Sequence, residues 1–369
     1  MYLEKINLIN FKNYELMYAD FSEGINCLVG LNGCGKTNLL DAIFYLSFTK
    51  SAFNLIDHQN IRHGEQHFSV AGVFHAGNRR NEVQITLQQQ HSKKILVDQK
   101  KQKKASGHVG RFPVVLIAPG DIELILGGSE IRRKMIDMLL SQLDPSYLED
   151  LMTYSRALKH RNQLLKYFYK NQLHDQDQLE PFDQIILQTG KRIAKARSKF
   201  VARYEPLLQE HFRWISNGRE QVTLQYASTF LEPDFEEAFY RALEKDMILQ
   251  RTTQGVHRDD IIFEMDGYPM KKYGSQGQQK SYIIALKLAQ FDILLEEKRF
   301  KPILLLDDIF DKLDDERIGK MVDLIENHKF GQIFLTDARP ERTWHFLRDI
   351  KTELKVFQVE KGIIEELNQ

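Results

Sequence analysis

Residues 25–46 read Ile25-Asn26-Cys27-Leu28-Val29, then Gly30-Leu31-Asn32-Gly33-Cys34-Gly35-Lys36-Thr37, then Asn38-Leu39-Leu40-Asp41-Ala42-Ile43-Phe44-Tyr45-Leu46. An apolar run of strand length leads into a glycine loop, and the loop leads into a helical pattern. The middle eight residues satisfy G-x-x-x-x-G-K-[ST] in full, and strand–loop–helix is the context that makes this motif a phosphate site. Glycines let backbone N–H groups converge on phosphate oxygens, and the helix start adds partial positive charge. Lys36 is placed to reach the β- and γ-phosphates, and the Thr37 hydroxyl to take one position on Mg²⁺. A glycine turn of no consequence leaves both flanks unexplained. The segment therefore predicts a nucleotide-binding α/β domain, with Gly30 to Asn38 around the phosphates.

The chain of 369 residues has room for two domains, or for one domain with a large insertion. Its hydrophobic content of 42% is enough for a substantial core. The N-terminus carries charges within its apolar stretch and lacks a signal-peptide layout. No uninterrupted apolar run approaches the length of about 18 residues that a membrane span needs. The two cysteines, Cys27 and Cys34, have neither metal nor redox spacing. Together these features lead us to expect a cytoplasmic protein without a membrane partner. Formal net charge is zero, which excludes a uniformly basic nucleic-acid binder, but the charge is uneven. Residues 151–203 hold 11 Lys/Arg against 4 Asp/Glu, and residues 93–104 hold six lysines against Asp98 alone. Such patches steer polyanions even when the total cancels. They make Lys159, Arg161, Lys191, Arg192, Lys195, Lys103 and Lys104 candidates for DNA contact, with a solvated helix face as the alternative.

Period-two patterns at 3–8, 68–73 and 82–87, and the apolar run at 113–117, predict strands in the first part. From about residue 129 the pattern turns helical. Leu148, Leu151, Leu158, Leu165 and Phe168 are spaced helically. A polar break covers Asn171 to Glu180, and Ile185, Ile186, Ile193, Phe200 and Leu207 resume the pattern. This predicts an antiparallel helical arm, in which a helix of about 25 residues reaches roughly 37 Å. Strand candidates return at 261–265, 302–306, 332–335 and 354–359, with helices at 276–297 and 314–328. The expected organisation is an ATPase lobe split into halves, 1–125 and 251–369, by an arm insertion at 126–250.

The late half supplies the rest of a site. Ile303-Leu304-Leu305-Leu306-Asp307-Asp308 is a buried-strand pattern ending in two carboxylates. Asp307 at the strand end is placed to hold Mg²⁺, and Asp308 to polarise the attacking water. A core strand ending in a solvated acidic turn would look the same in isolation. Ser275-Gln276-Gly277-Gln278 opens the helix at 276–297. As Ser-x-x-Gln it is a capping box. As Ser-Gln-Gly-Gln it is the signature of ABC-type ATPases, which faces the γ-phosphate of a nucleotide held by another subunit. The readings agree, because a capped helix end is also an anion site. His257 and Arg258 precede a strand and read as a structural turn or as part of a polar network.

With these motifs in that order the chain resembles the RecF family of the SMC/ABC class nearly end to end. Asn10-Phe11-Lys12-Asn13-Tyr14 is similar to the family's Asn-Phe-Arg-Asn-Tyr. Gly255-Val256-His257-Arg258-Asp259-Asp260 resembles Gly-Pro-His-Arg-Asp-Asp, and Leu313-Asp314-Asp315-Glu316-Arg317 its D-loop. The resemblance implies an ABC/SMC-type P-loop ATPase head with a helical arm. It implies a homodimer that closes on ATP and Mg²⁺, with Lys12 near the nucleotide and Ser275 and Asp314 acting on the opposing site. It further implies binding to duplex and gapped DNA, with RecR and RecO as partners in RecA loading, and slow hydrolysis through Asp308. Lys12 in place of arginine keeps charge but loses bidentate geometry. Thr336-Asp337 stands where many relatives carry a switch histidine, which leaves the γ-phosphate sensor unassigned. A small-molecule kinase would not need the signature. A transporter ATPase subunit would lack the long insertion, and other SMC proteins insert far longer coiled coils. An ATP-dependent nuclease would add a carboxylate-rich domain.

Overall fold

The computed structural model describes the chain apart from residues 55, 174, 219, 310–314, 328, 339–349, 351 and 368–369. Asp314, the expected D-loop residue, lies outside the described residues. In chain order the elements are β1 (Tyr2–Phe11), β2 (Tyr14–Asp20), β3 (Ile25–Val29), α1 (Lys36–Phe48), β4 (His67–Ala76), β5 (Arg79–Gln88), β6 (Lys94–Val97), β7 (Lys100–Lys101) and β8 (Val114–Ile117). There follow α2 (Glu123–Leu126), α3 (Ser129–Leu143), α4 (Pro145–Asn171), α5 (Glu180–Ser216), β9 (Val222–Ala227), α6 (Phe235–Arg241) and α7 (Leu243–Leu249). The chain ends with β10 (Asp260–Met265), β11 (Tyr268–Pro269), α8 (Met270–Tyr273), α9 (Gln276–Lys298), β12 (Ile303–Leu306), α10 (Asp315–Glu326), β13 (Ile333–Asp337), β14 (Leu354–Glu360) and β15 (Ile363–Glu366).

By internal contacts the chain divides into a first unit, Met1–Asp121 with Ile283–Gln369, and a second, Ile122–Tyr282. The first unit holds two six-stranded sheets. One has the order β2-β1-β4-β5-β6-β7 and pairs antiparallel throughout. Its inward residues alternate, as in Val83, Ile85 and Leu87 of β5. In β1 the alternation slips between Leu3 and Ile6, both buried, because the register with β4 shifts between Leu3 and Lys5. α1 lies against this sheet at Gly72, where an added Cβ would come within 2.6 Å of Leu46 Cδ1.

The other sheet has the order β15-β14-β3-β13-β12-β8, parallel from β14 to β8. Every residue of β3, β12 and β13 is buried. That is why these strands read as continuous apolar runs, as strands covered on both faces do. β3 and β12 are not neighbours, since β13 lies between them. Two strand spacings, roughly 10 Å, therefore separate the ends that carry the glycine loop and Asp307.

The second unit is longer than the insertion expected over 126–250. β9 pairs with β10 in register from Val222↔Met265 to Ala227↔Asp260, so the segment to Tyr282 belongs with the helices. Within 126–250, the strand β9 interrupts what the sequence presented as a purely helical arm, and α6 and α7 follow it. α4 and α5 run antiparallel: Asp150 meets Arg192, and nearer the connection Arg161 meets Asp183. Asp144 caps α4 by accepting from Ser146 N–H, with Pro145 in the first turn. α5 has 37 residues and spans about 55 Å, well beyond the length expected for an arm helix. No described helix is long and apolar enough to cross a membrane.

Candidate nucleotide site

Two glycines of the loop are required by geometry. Gly30 has φ 152°, and a Cβ there would sit 2.3 Å from the Val359 carbonyl. Gly35 has φ 125°, and a Cβ there would sit 2.5 Å from Asn13 Nδ2. Between them Leu31, Asn32 and Gly33 are exposed and Cys34 is partly so. The loop is held from the turn between β1 and β2 and from the start of β2. Asn13 Nδ2 donates to the Cys34 carbonyl (3.0 Å), and the Tyr14 hydroxyl donates to the Gly35 carbonyl (3.0 Å). Asn38 Nδ2 donates to Asn13 Oδ1 (2.7 Å), which closes a small network around the helix start. Lys36 is buried, and its ammonium folds over the loop onto the carbonyls of Gly30 (2.7 Å) and Leu31 (3.2 Å).

Thr37 reaches across to the second motif, its hydroxyl donating to Asp307 Oδ1 at 2.8 Å. Residues 270 positions apart thus meet because β3 and β12 lie in one parallel sheet. Thr336, at the end of the intervening β13, also donates to Asp307 Oδ1 (2.9 Å) and accepts from the Asp308 N–H (2.8 Å). Burial raises the Asp307 carboxyl above the ordinary carboxylate range, against hydrogen bonds from Thr37 and Thr336; the Asp308 charge adds to the rise. A carboxylate short of solvation beside a threonine hydroxyl is a donor set suited to a hard cation. Asp308 has φ 45°, a left-handed backbone that turns the chain at the strand end. Thr336 is the site residue whose role the sequence left open.

Lys12 lies with α1. Its ammonium pairs with Asp41 at 2.5 Å, and Asp41 also accepts from the Ser51 hydroxyl (2.6 Å) and the Ala52 N–H (2.7 Å). In this structure its charge is therefore taken up by a buried carboxylate.

In the second unit Ser275 is exposed at the start of α9. Its carbonyl accepts from Gln279 N–H (2.9 Å), its hydroxyl accepts from Gln278 N–H (3.3 Å), and Gln278 Oε1 accepts from Ser275 N–H (2.8 Å). The capping box is reciprocal.

The basic residues fall into two groups. Lys159, Lys191, Lys195, Lys103 and Lys104 are exposed, and Arg192 is exposed while paired with Asp150 (2.6 and 2.8 Å). Arg161 is not on the surface. It is 1% exposed, bonded to Asp183 (2.5 Å), Asp246 (2.6 Å) and the Thr252 hydroxyl (2.9 Å), which removes it from the DNA candidates. Arg197 is buried likewise, bonded through both ends to Asp137 (2.9 Å) and to the Val256 carbonyl (2.7 Å). A count of charges along the arm cannot separate these from the solvated ones. Lys93 also leaves the lysine-rich hairpin, pairing with Asp57 at 2.8 Å over the Tyr45 ring.

His257 belongs to this interior network. The Tyr154 hydroxyl bonds its Nδ1 (2.7 Å) and the Thr252 carbonyl its Nε2 (3.0 Å), an arrangement suited to the neutral ring. Burial lowers its pKa from 6.5 to about 4. The unfolded chain takes up the proton first. The stability His257 contributes is therefore full above about pH 6.5 and is lost as pH falls toward 4, by up to about 3 kcal/mol. Across that window the thermal midpoint of the parent protein is expected to fall more steeply than that of a His257→Gln variant. Parallel slopes would refute the assignment.

The family model described as the RecF/RecN/SMC N terminal domain matches residues 2–365. The DNA replication and repair protein RecF of Cytophaga hutchinsonii is 43% identical over 366 residues, covering 99% of this chain and 97% of its own. That of Flavobacterium johnsoniae is 42% identical over 359 residues, covering 97% and 100%. Among solved structures, the recombination mediator protein RecF-ATPrS in the RecFOR pathway superposes with a TM-score of 0.90 at 31% identity, covering 100% of this chain and 98% of that one. RecF-ATP gives 0.87 at 30% identity, covering 99% of each. The Smc head domain of Pyrococcus furiosus shares the fold, with a TM-score of 0.56 at 18% identity. On sequence and structure alike, the chain belongs to the RecF family of P-loop ATPase heads.

Proposed function

We propose that the protein is an ATP-switched, DNA-binding protein of recombinational repair and replication restart. Two copies close on ATP and act in the cytoplasm at single-strand gaps, where with RecR and RecO they assist RecA loading. The observation that carries the ATP part is the convergence of Lys36, Thr37, Asp307 and Thr336 on one end of a parallel sheet. The DNA and partner parts rest on family membership and on the exposed lysines of α4, α5 and the β7 hairpin.

Lys36 and the loop N–H groups hold the triphosphate. The Thr37 hydroxyl and the Asp307 carboxylate would hold Mg²⁺, which supplies charge neutralisation on the phosphates. Asp308, fixed through Thr336, orients the attacking water, and its short side chain suits slow turnover. Ser275 and the start of α9 in one copy meet the γ-phosphate held by its partner, as an isologous pair requires. Asp314 contributes from the D-loop. The γ-phosphate adds contacts that only the closed pair can make, so ATP shifts the population toward closure and hydrolysis releases it.

The test combines light scattering with DNA binding. The parent protein should dimerise with ATP and prefer gapped DNA to blunt duplex. Ser275→Arg should bind ATP normally and remain monomeric. A Ser275→Arg protein that dimerises like the parent would overturn the sandwich, and equal affinity for the two DNAs would overturn the gap assignment.

A further inference from the structure

The connector that follows the arm helix touches the signature motif through one carboxylate. α5 stops at Ser216, and Asn217 takes φ 59° to end it. The connector to β9 is pinned at its far end: Gln221 N–H donates to Asp266 Oδ1 (2.9 Å), and Asp266 N–H donates to the Gln221 carbonyl (2.8 Å). Glu220 sits beside that clamp, and its Oε1 accepts from Gln278 Nε2 at 3.0 Å.

Gln278 is the residue whose Oε1 accepts from Ser275 N–H at 2.8 Å. A carboxamide has one accepting end and one donating end. Turned by half a rotation, it would set an NH₂ against the Ser275 N–H and an oxygen against the carboxylate, two repulsive contacts in place of two hydrogen bonds. Glu220 therefore decides which end of Gln278 faces the cap. Its second oxygen is buried and has no hydrogen-bond partner among the described residues, so the bond from Gln278 to the first oxygen is the one that holds this carboxylate in place.

We infer that Glu220 is a positioning residue for the signature. By fixing Gln278 it holds the Ser275 hydroxyl and the first turn of α9 in the arrangement that receives the partner's γ-phosphate. Preorganised donors gain over mobile ones because they need no reordering when the charge arrives. Because Glu220 lies in the short connector that leaves the arm helix, four residues beyond Ser216, the cap is tied to that connector. The inference rests on the ATP sandwich proposed above.

The test measures ATP-dependent dimerisation by light scattering, and ATP binding by a fluorescent analogue at protein concentrations below dimerisation. Loss of one charge-assisted hydrogen bond predicts that Glu220→Ala weakens the ATP-bound dimer about tenfold. Its single-copy ATP affinity should stay that of the parent. Glu220→Gln, which keeps an acceptor for Nε2, should stay within about threefold of the parent. Gln278→Ala and the Glu220→Ala/Gln278→Ala double variant should be equally weak, since both residues act through one cap. If Glu220→Ala does not fold, Glu220→Asp withdraws the carboxylate by one methylene and takes its place. Dimer affinity equal to the parent's in Glu220→Ala (or Glu220→Asp in its place) or in Gln278→Ala, or a full further tenfold loss in the double variant, would overturn the inference. A parent protein that stays monomeric with ATP would instead remove the sandwich reading itself.

Discussion

Replacing Lys36 by alanine is expected to weaken ATP binding by up to about a hundredfold and to abolish ATP-dependent dimerisation. The Lys36 ammonium is buried and rests on the carbonyls of Gly30 and Leu31, at the floor of the loop. Those carbonyls orient it without neutralising it, so its full charge is available to a phosphate. A charge-assisted hydrogen bond contributes about 1.5–3 kcal/mol, and the upper end of that range corresponds to roughly a hundredfold in affinity. Folding should suffer little, because the carbonyls left behind lie beside the exposed part of the loop and can hydrate. Calorimetric titration with ATP, with light scattering on the same samples, measures both outcomes. ATP affinity within threefold of the parent would refute this role for Lys36.

What the sequence made legible and what it hid follow from the range of the interactions. The glycine loop and Asp307 could be read because each is a local string with its own chemistry: glycines where φ is positive, and acids where an apolar strand ends. Their meeting followed from the parallel-sheet rule, and Thr37 does bond Asp307. Thr336 was not legible as a bridge. A threonine at a strand end has no distinguishing local pattern, and only the placement of β13 between β3 and β12 brings its hydroxyl to the Asp307 carboxylate and the Asp308 N–H. β9 was missed for a related reason. Its alternation of Val222 and Leu224 is short, and its partner β10 lies far along the chain. Glu220 carried no signal, because its target is the far end of an amide whose near end already explained itself as a helix cap. Arg161 misled as a DNA candidate, and Arg197 inflated the charge count, because a helical wheel of charges looks the same whether the partner is water or a buried aspartate.

Arg161 gives the largest expected effect on stability. Its guanidinium is enclosed by Asp183 and Asp246, both buried, and lies 4.8 Å from the Phe239 ring centre. Asp246 is further fixed by the Thr253 N–H (2.8 Å) and hydroxyl (2.6 Å), so it cannot turn out to water. Burial already raises Asp183 above the usual carboxylate range, with Arg161 opposing the rise. Arg161→Met fills much of the same volume but leaves two buried carboxylates without their cation. Breaking such a pair costs about 3–5 kcal/mol, because the uncompensated charge and not the lost attraction dominates. For a unit of this size that corresponds to a fall of about 10 °C in the thermal midpoint. Neutralising the acids as well, with Asp183→Asn and Asp246→Asn, should restore part of the loss. DNA binding separates the two roles. Below its melting transition, Arg161→Met should keep the parent's dependence on salt. A Lys191→Ala/Lys195→Ala variant should flatten the slope by about one for each phosphate contact removed. A flattened slope in folded Arg161→Met would return this arginine to the DNA surface, and an unchanged midpoint would deny the buried network its structural role.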